Sequence, residues 1–308
     1  MCIMPIATRL LNTGNLIVNG TFDEYTSITQ SKFRTTSNTV FATELDEYTI
    51  SGGSVAKREN STGVLQIKGI FDEFTGAPIV DANLKLYLDA GQSSSYPETG
   101  ATWIDLSASS ANVTLFNSPS FSKLVSGGIL SFSPASSQYG NTSINLGNMP
   151  QWTIEATFRV TSSLTNQVTT ILTNIYDGTT KLNYAMGTNN AGVVAGAAQW
   201  NICVGFFNGA WRNTTGFAPT LNTWYHCVGT YDGSTVIQYI NGVQNSTLTY
   251  SGTPSSGGIT RIARRWDDVV TSTNLFPGDI SAIRIYNRAL SFDEITTNYN
   301  SLRNRYGI

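Results

Sequence analysis

Residues 224–243 read Trp-Tyr-His-Cys-Val-Gly-Thr-Tyr-Asp-Gly-Ser-Thr-Val-Ile-Gln-Tyr-Ile-Asn-Gly-Val. Two strand-like runs, Trp224–Tyr231 and Val236–Ile240, are each followed by a turn dipeptide, Asp232-Gly233 and Asn241-Gly242. Both dipeptides tolerate the positive φ angles of a two-residue hairpin turn. The stretch therefore predicts antiparallel β-structure made of short strands and tight turns.

Further strand-like runs recur at short intervals from Leu84 onward, as a β-sandwich requires. In Trp152–Val160 apolar and polar residues mostly alternate, which predicts a strand with one face packed inward and the other facing water. The remaining predicted strands are Leu84–Leu88, Ile129–Phe132, Asn201–Phe207, Ile259–Ala263 and Ile280–Tyr286.

The composition excludes several classes of protein. Only 12% of the residues are charged and the net charge is −2. The sequence therefore lacks the basic stripe that is typical of nucleic-acid-binding proteins. The sequence contains no run of about 18 apolar residues, so it predicts no membrane span. Met1–Arg9 contains no uninterrupted apolar segment typical of a signal peptide. We therefore expect a protein made in a reducing cytoplasm that functions without export by a signal-peptide route.

The first eighty residues contain a threefold repeat. Gly20–Thr26, Thr43–Thr49 and Gly69–Thr75 share an Asp-Glu pair, and their aspartates are spaced by 23 and 26 residues. Units this short cannot bury an apolar face alone, so we expect them to stack on each other or on a partner. The candidate anchoring and oligomerisation residues are Phe22, Asp23, Glu24, Leu45, Asp46, Glu47, Phe71, Asp72 and Glu73.

Two interpretations of the Asp-Glu pairs are open: acidic sites for a cation or a proton, or solvated hairpin corners. Repetition of the same corner favours the architectural interpretation. We expect residues 1–80 to form a β-repeat anchoring or oligomerisation segment and residues 84–308 to form a second domain. Gly and Pro in the stretch 76–83 mark the boundary.

The sequence predicts one helix, at its C-terminus. Ser291 and Glu294 have the spacing of a capping box. Ile295, Tyr299 and Leu302 then share one face, which predicts that the helix lies on the sandwich.

Residues 84–308 resemble the laminin-G-like modules of the concanavalin A-like lectin/glucanase superfamily. The resemblance rests on Trp224–Val228, Asn241-Gly242, Phe276–Ile280 and Tyr286–Ser291. It implies an all-β fold: a concanavalin A-like jelly-roll sandwich with a small N-terminal β-repeat segment and a short C-terminal helix.

The start of this domain, with Leu88–Gly91 and Trp103–Ser107, is similar to versions found in bacteriophage virion proteins. Because the fold carries lectins, glucanases and inert shells alike, it does not fix the activity. We expect a non-enzymatic virion structural protein, a capsid decoration or a tail or head fibre. It would assemble in the host cytoplasm with other virion proteins as a homo-oligomer, anchored by its N-terminal repeats. The alternative is a carbohydrate-binding adhesion module for host-surface or environmental glycans, and a glycoside hydrolase is least favoured.

A carbohydrate site needs an exposed aromatic ring with polar neighbours. Trp152 and Trp224 lie on predicted strands and are expected in the core. Aromatic residues in loop-like stretches fit better, although packing against the sheet rim or a neighbouring subunit explains them equally well. The candidate ligand-binding residues are Tyr96, Trp211, Trp266 and Asp267.

Related modules bind Ca²⁺ through loop oxygens, and the matching candidates are Asp89, Asp105 and Asp279. Each also stands where an Asx-turn would place an aspartate, and we favour the turn. The sequence therefore makes Ca²⁺ a candidate cofactor and no other cofactor is expected.

Superfamily glucanases carry a Glu-x-Asp-x-x-Glu motif, whose two carboxylates lie about 5–5.5 Å apart in retaining enzymes. This sequence has no such motif, and Glu155 stands alone on its predicted strand. His226 is the only histidine, and we interpret it as a core or sheet-face residue. We therefore expect no enzymatic activity.

Cys203 and Cys227 would face each other if their strands formed a hairpin centred near Thr215. Either a disulfide or two buried free thiols fits this arrangement. Free thiols are favoured in a protein assembled in the cytoplasm.

Overall fold

The computed structural model describes residues 78–124, 127–164, 169–174, 181–188, 201–254, 258–265 and 275–308, and seven short strands before residue 72. The chain divides into two compact units. We call Met1–Ala82 with Ser291–Gly307 the N-terminal unit, and Asn83–Leu290 the sandwich unit.

Short strands build the N-terminal unit. They are β1 (Thr8–Arg9), β2 (Leu16–Val18), β3 (Thr39–Thr43), β4 (Glu47–Thr49), β5 (Val55–Arg58), β6 (Val64–Lys68), β7 (Ile70–Phe71) and β8 (Pro78–Ile79). Six of them form a sheet in the order β1-β2-β3-β6-β5-β4, with β2 and β3 parallel, while β7 pairs with β8.

The predicted corner residues fall mostly outside this description. Glu47 begins β4 and Phe71 ends β7. The other candidates lie outside the described residues: Phe22, Asp23, Glu24, Leu45, Asp46, Asp72 and Glu73. Their anchoring role stays a prediction.

The predicted C-terminal helix is present as α1 (Phe292–Tyr306). The Ser291 hydroxyl accepts the Glu294 N–H, and a Glu294 carboxylate oxygen accepts the Ser291 N–H, which confirms the capping box. Within the same unit the Asn298 side chain accepts the Val80 N–H at 3.0 Å. No helix in the described part of the chain has the length and apolar character of a membrane span.

Two antiparallel sheets form the sandwich unit. The front sheet runs β10 (Thr102–Trp103), β11 (Val113–Phe116), β14 (Tyr139–Asn145), β23 (Ile259–Ile262), β16 (Thr170–Asn174), β17 (Lys181–Thr188), β18 (Ile202–Asn208), β19 (Trp211–Asn213). The back sheet runs β12 (Ser120–Leu124), β13 (Gly127–Phe132), β24 (Gly278–Tyr286), β15 (Trp152–Val160), β20 (Trp224–Tyr231), β21 (Thr235–Ile240), β22 (Val243–Thr249), and β9 (Leu84–Asp89) also pairs with β24. This two-sheet architecture confirms the predicted all-β sandwich.

The two predicted hairpins join β20 to β21 and β21 to β22. Gly233 has φ 101°, and Asn241 and Gly242 have φ 50° and 76°. Two successive residues with positive φ are the requirement of a type I′ turn, so Asn241-Gly242 sets the register of the second hairpin.

The strand β15 confirms the predicted alternation but not the predicted exposure. Its apolar residues face the core between the sheets: Trp152, Ile154, Ala156, Phe158 and Val160. On the opposite face Thr153, Glu155 and Thr157 are also buried. The prediction that this face meets water is wrong: the Arg284 and His226 side chains lie against Glu155, and the Thr153 hydroxyl donates to the Arg288 carbonyl and accepts the Leu290 N–H.

The sheets approach closely where Gly229 of β20 faces Val204 of β18. A Cβ atom placed on Gly229 would lie 2.8 Å from the Val204 Cβ. Real side chains do not approach this closely, so the spacing between the sheets depends on glycine at this position.

We expect Gly229→Ala to lower the free energy of unfolding by about 1–3 kcal/mol, because the added methyl group overpacks the core. Chemical denaturation checks this value. The double variant Gly229→Ala/Val204→Ala should lose less free energy of unfolding than the two single variants together, since it removes two of the three close atoms, the Val204 methyl carbons 3.0 Å from the new Cβ. If the double variant loses more free energy of unfolding than the two single variants together, the proposed contact is contradicted.

Candidate carbohydrate-binding face

Strand register defines a row of residues across the outer face of the front sheet. Five residues of the row are buried: Arg261, Thr173, Ala185, Gly205 and Asn213. Within the row a ligand therefore has access only at one end, where Thr114 is exposed and Asn141 is half-buried. In order the row is Thr114, Asn141, Arg261, Thr173, Ala185, Gly205 and Asn213.

Beside one end of this row lies a stack of three groups, which we call the aromatic ladder: Phe116, Tyr139 and Arg264. Phe116 and Tyr139 are cross-strand partners whose ring centroids are 4.6 Å apart and nearly parallel, at 12°. The Arg264 guanidinium carbon lies 4.6 Å from the Tyr139 ring centroid. Arg264 is buried, whereas Phe116 is 36% exposed. Tyr139 thus stacks against one face of the Phe116 ring, and the Arg264 guanidinium supports Tyr139.

Beside the opposite end lies Trp211, one of the predicted ligand-binding residues. It pairs with Phe207 across β18 and β19, with ring centroids 5.4 Å apart at 68°. Both residues are partly exposed. Trp211 lies on an edge strand and not in the predicted loop, and its role in binding stays a prediction.

Tyr96 does not provide the exposed ring predicted for it. It is 3% exposed and belongs to the core, where its ring lies 5.5 Å from that of Phe121. Its hydroxyl donates to the Gly100 carbonyl. The other two candidates, Trp266 and Asp267, lie outside the described residues.

The two strand tryptophans differ. Trp152 is fully buried in the core, as predicted. Trp224 is only half-buried, and the Arg159 guanidinium carbon lies 5.3 Å from its ring centroid. The expected core position of Trp224 is wrong, because the alternation of β20 turns it to the outer face of the back sheet.

The Asp105 carboxylate is fully engaged in a turn. It accepts the backbone N–H groups of Tyr87, Ser107 and Ala111, each at 2.8–2.9 Å, together with the Ser107 hydroxyl. These four bonds give Asp105 the turn role that we favoured.

Asp89 accepts the Gly91 N–H at 2.8 Å, which is also an Asx-turn bond. Asp279 differs from the prediction because it lies within β24 and forms an ion pair with Arg159. Among the described residues, no group of three or more His, Cys, Asp or Glu side chains is placed to hold a metal ion.

The back sheet buries a charged cluster on its outer face. Glu155 and Arg284 are cross-strand partners with an N–O distance of 3.3 Å. The His226 Nε2 lies 3.6 Å from the same Glu155 oxygen. All three side chains are 1–2% exposed. Glu155, the only acidic residue on its strand, therefore has Arg284 and His226 as neighbours in space, and His226 lies on the sheet face as expected.

Burial opposes the charged form of Arg284, but Tyr87, Glu155 and further neighbours offset it and raise the net pKa. The guanidinium thus stays charged beside Glu155. Since no substrate reaches residues this deeply buried, the geometry gives the cluster a structural role.

The two cysteines do not form the predicted hairpin. Cys203 lies on β18 of the front sheet and Cys227 on β20 of the back sheet, because β19 and not β20 pairs with β18. Both are free and buried. Burial raises the pKa of each thiol to about 12.

We expect Glu155→Ala to lower the free energy of unfolding by about 3–5 kcal/mol, because it leaves the Arg284 charge buried without its carboxylate. The control is Glu98→Ala, which removes an exposed ion pair with Lys123 and should cost less than about 1 kcal/mol. Denaturant titration of both variants makes the comparison. Equal small losses would contradict the structural role of Glu155.

A Cys2→Ser variant should show no reactive thiol when folded at pH 8 and two when unfolded without reductant. The raised pKa values and burial block the thiolates in the folded protein. Ellman's reagent counts the thiols, and a count of zero in denaturant would indicate a disulfide.

A laminin G family model, described as concanavalin A-like lectin/glucanases superfamily, matches residues 134–296. No curated protein sequence is significantly similar to this chain.

Solved structures share the fold at low identity. Domain 4 of AbnA, an extracellular arabinanase from Geobacillus stearothermophilus in complex with arabinotriose, is 15% identical with a TM-score of 0.53. The match covers 70% of this chain and 98% of that domain. The binding domain of botulinum neurotoxin DC in complex with SialylT is 14% identical with a TM-score of 0.51. That match covers 72% of this chain and 52% of the other, so this chain spans about half of the toxin domain.

A structure of botulinum neurotoxin type C, whose cell entry is described as dependent upon interaction with two ganglioside molecules, is 15% identical with a TM-score of 0.51. The match covers 72% of this chain and 52% of the toxin structure. At such identities the likeness shows the fold alone. The family model, in contrast, covers more than half of the sequence, and the chain belongs to the concanavalin A-like lectin/glucanase superfamily.

Proposed function

We propose that the sandwich unit is a non-enzymatic carbohydrate-binding module that holds glycans on the outer face of its front sheet. The observation that carries the proposal is the placement of accessible rings at both ends of that face. Phe116 lies on the aromatic ladder at one end and Trp211 at the other. Sites for small organic ligands combine aromatic surface with a few fixed polar groups, and on the strands that carry Phe116 and Tyr139 the exposed Thr114 and the half-buried Asn141 supply such groups.

The relatives support a carbohydrate ligand. The arabinanase domain is described in complex with arabinotriose, and the cell entry of the type C toxin is described as dependent upon interaction with two ganglioside molecules. Both ligands contain sugars, although they differ in size and composition. The shared fold therefore fits a glycan of either kind.

The chemistry of the face supports binding rather than hydrolysis. Glycoside hydrolysis uses a pair of carboxylates flanking the scissile bond. The eight strands of the front sheet contain no Asp or Glu. A bound glycan would therefore meet rings, amides and hydroxyls on these strands and no carboxylate pair.

A glycan array of the purified protein should identify ligands, and titration of the best ligand against variants tests the site. We expect Phe116→Ala or Trp211→Ala to weaken binding about tenfold, or ~1.4 kcal/mol, through loss of stacking area. The matched control is Leu221→Ala, which removes an apolar side chain that is 46% exposed in a loop. Binding unchanged in both ring variants would contradict the proposed face.

We further propose that the module works on a bacteriophage virion, with the N-terminal unit anchoring it to other virion proteins as a homo-oligomer. The separate N-terminal β-unit and the resemblance around Trp103–Ser107 support this setting. Immunogold labelling of purified particles with an antibody against the chain tests it. Labelled heads or tails are expected, and unlabelled particles would contradict the proposal.

A further inference from the structure

The exposed rings of the front sheet lie on opposite sides of the row of cross-strand partners. Each step from β11 to β19 joins antiparallel strands, and six such steps give these two strands the same direction. Phe116 comes two residues after Thr114 of the row, whereas Trp211 comes two residues before Asn213 at the other end of the row. The Phe116 and Trp211 rings therefore lie at diagonally opposite corners of the outer face.

Strand spacing sets the distance between these two corners. Neighbouring strands lie about 4.8 Å apart, so six spacings separate β11 from β19 by about 29 Å along the sheet. The offset along the strand direction adds about 13 Å at right angles to this. The two rings are thus about 30 Å apart along the face, a distance that a trisaccharide does not span.

The surface between the two corners is closed. Five successive residues of the row are buried: Arg261, Thr173, Ala185, Gly205 and Asn213. Among these described residues, a ligand at one ring finds no continuous line of accessible side chains that leads to the other ring.

The Phe116 corner is open on the side away from Tyr139. Extending the register of β10 and β11 by two residues places Gly100 beside Phe116, and Gly100 is exposed. No atom of the described residues lies within 4 Å of a Cβ atom built on Gly100. Thr102 and Thr114 are exposed cross-strand partners on the same face. This corner therefore combines a flat ring, space beside it and hydroxyl groups that one short sugar segment can reach.

A differently shaped pair of rings forms the Trp211 corner. The Phe207 and Trp211 rings meet at 68°, in contrast with the nearly parallel stack of Phe116 on Tyr139. The turn between their strands contains Gly209, which is exposed and has no atom of the described residues within 4 Å of a built Cβ. The second corner is thus also accessible, and it has its own geometry.

We propose that the two corners are separate glycan sites, so that the module is suited to long or closely repeated glycans. This inference rests on the proposed carbohydrate-binding function and adds the number of sites and the class of ligand. A glycan that reaches both rings, or two glycans on one surface, engages both corners at once. The second contact is then intramolecular and raises the affinity without a new kind of contact.

Equilibrium dialysis counts the sites. The probe is the terminal trisaccharide of the glycan that binds best on the array, and two molecules should bind per chain at saturation. Phe116→Ala should weaken one site about tenfold and leave the other unchanged, and Trp211→Ala should do the same at the other site. Only the double variant should weaken both sites, while the control Leu221→Ala keeps both. Saturation at one trisaccharide per chain, or no binding of the trisaccharide when the full glycan binds, would overturn the proposal.

Divalent probes test the distance between the sites. Two copies of the trisaccharide are joined by a poly(ethylene glycol) linker that either exceeds the ~30 Å between the rings or falls well short of it. The long-linked probe should bind at least about tenfold more tightly than the single trisaccharide, and either ring variant should remove this gain. The short linker cannot span the two corners, so its probe should show no such gain. Equal affinities for the two linked probes would rule out two sites at this separation.

These experiments also separate failure of the two-site arrangement from failure of the proposed function. If no glycan on the array binds, carbohydrate binding itself is contradicted. One site per chain, in contrast, leaves the binding function in place and overturns only the pair of sites.

Discussion

The burial of both faces of β15 is the constraint on which the rest of the sandwich depends. One face supplies apolar side chains to the core between the sheets, and the other carries Glu155 beside Arg284. Because the charged pair is as deeply buried as the core, this part of the back sheet is closed to ligands. The strand is thus a support, and ligand binding has to use other surfaces.

The front sheet offers another surface. It has accessible rings at the ends of its outer face, held by Tyr139 and Arg264 at one end and by Phe207 at the other. We propose that a glycan binds there, because the Phe116 ring lies on the same strand as the exposed Thr114.

Local patterns in the sequence predicted the local structure well. Asn241-Gly242 fixed a hairpin because few residues accept two successive positive φ angles, and Ser291 with Glu294 predicted the helix start through side-chain bonds three residues apart. Contacts between distant strands were less accessible to sequence analysis. The spacing of Cys203 and Cys227 is compatible with one hairpin, but the chain changes sheets between them.

In the candidate site, too, a residue in a conspicuous local pattern was predictable, whereas residues brought together by strand register were not. Trp211 was predicted because a tryptophan near a turn is conspicuous in the sequence. The aromatic ladder was missed because Phe116, Tyr139 and Arg264 meet only through the register of β11, β14 and β23. The outer face of β15 was also missed, since alternation indicates which residues share a face but not what covers that face.

A crystal structure of the protein bound to an oligosaccharide that it recognises in solution tests the proposed binding face most directly. We expect a sugar ring stacked on Phe116 or Trp211 and hydrogen-bonded to polar groups of the front sheet. A sugar bound on the back sheet, or on the N-terminal unit alone, would contradict the proposed face.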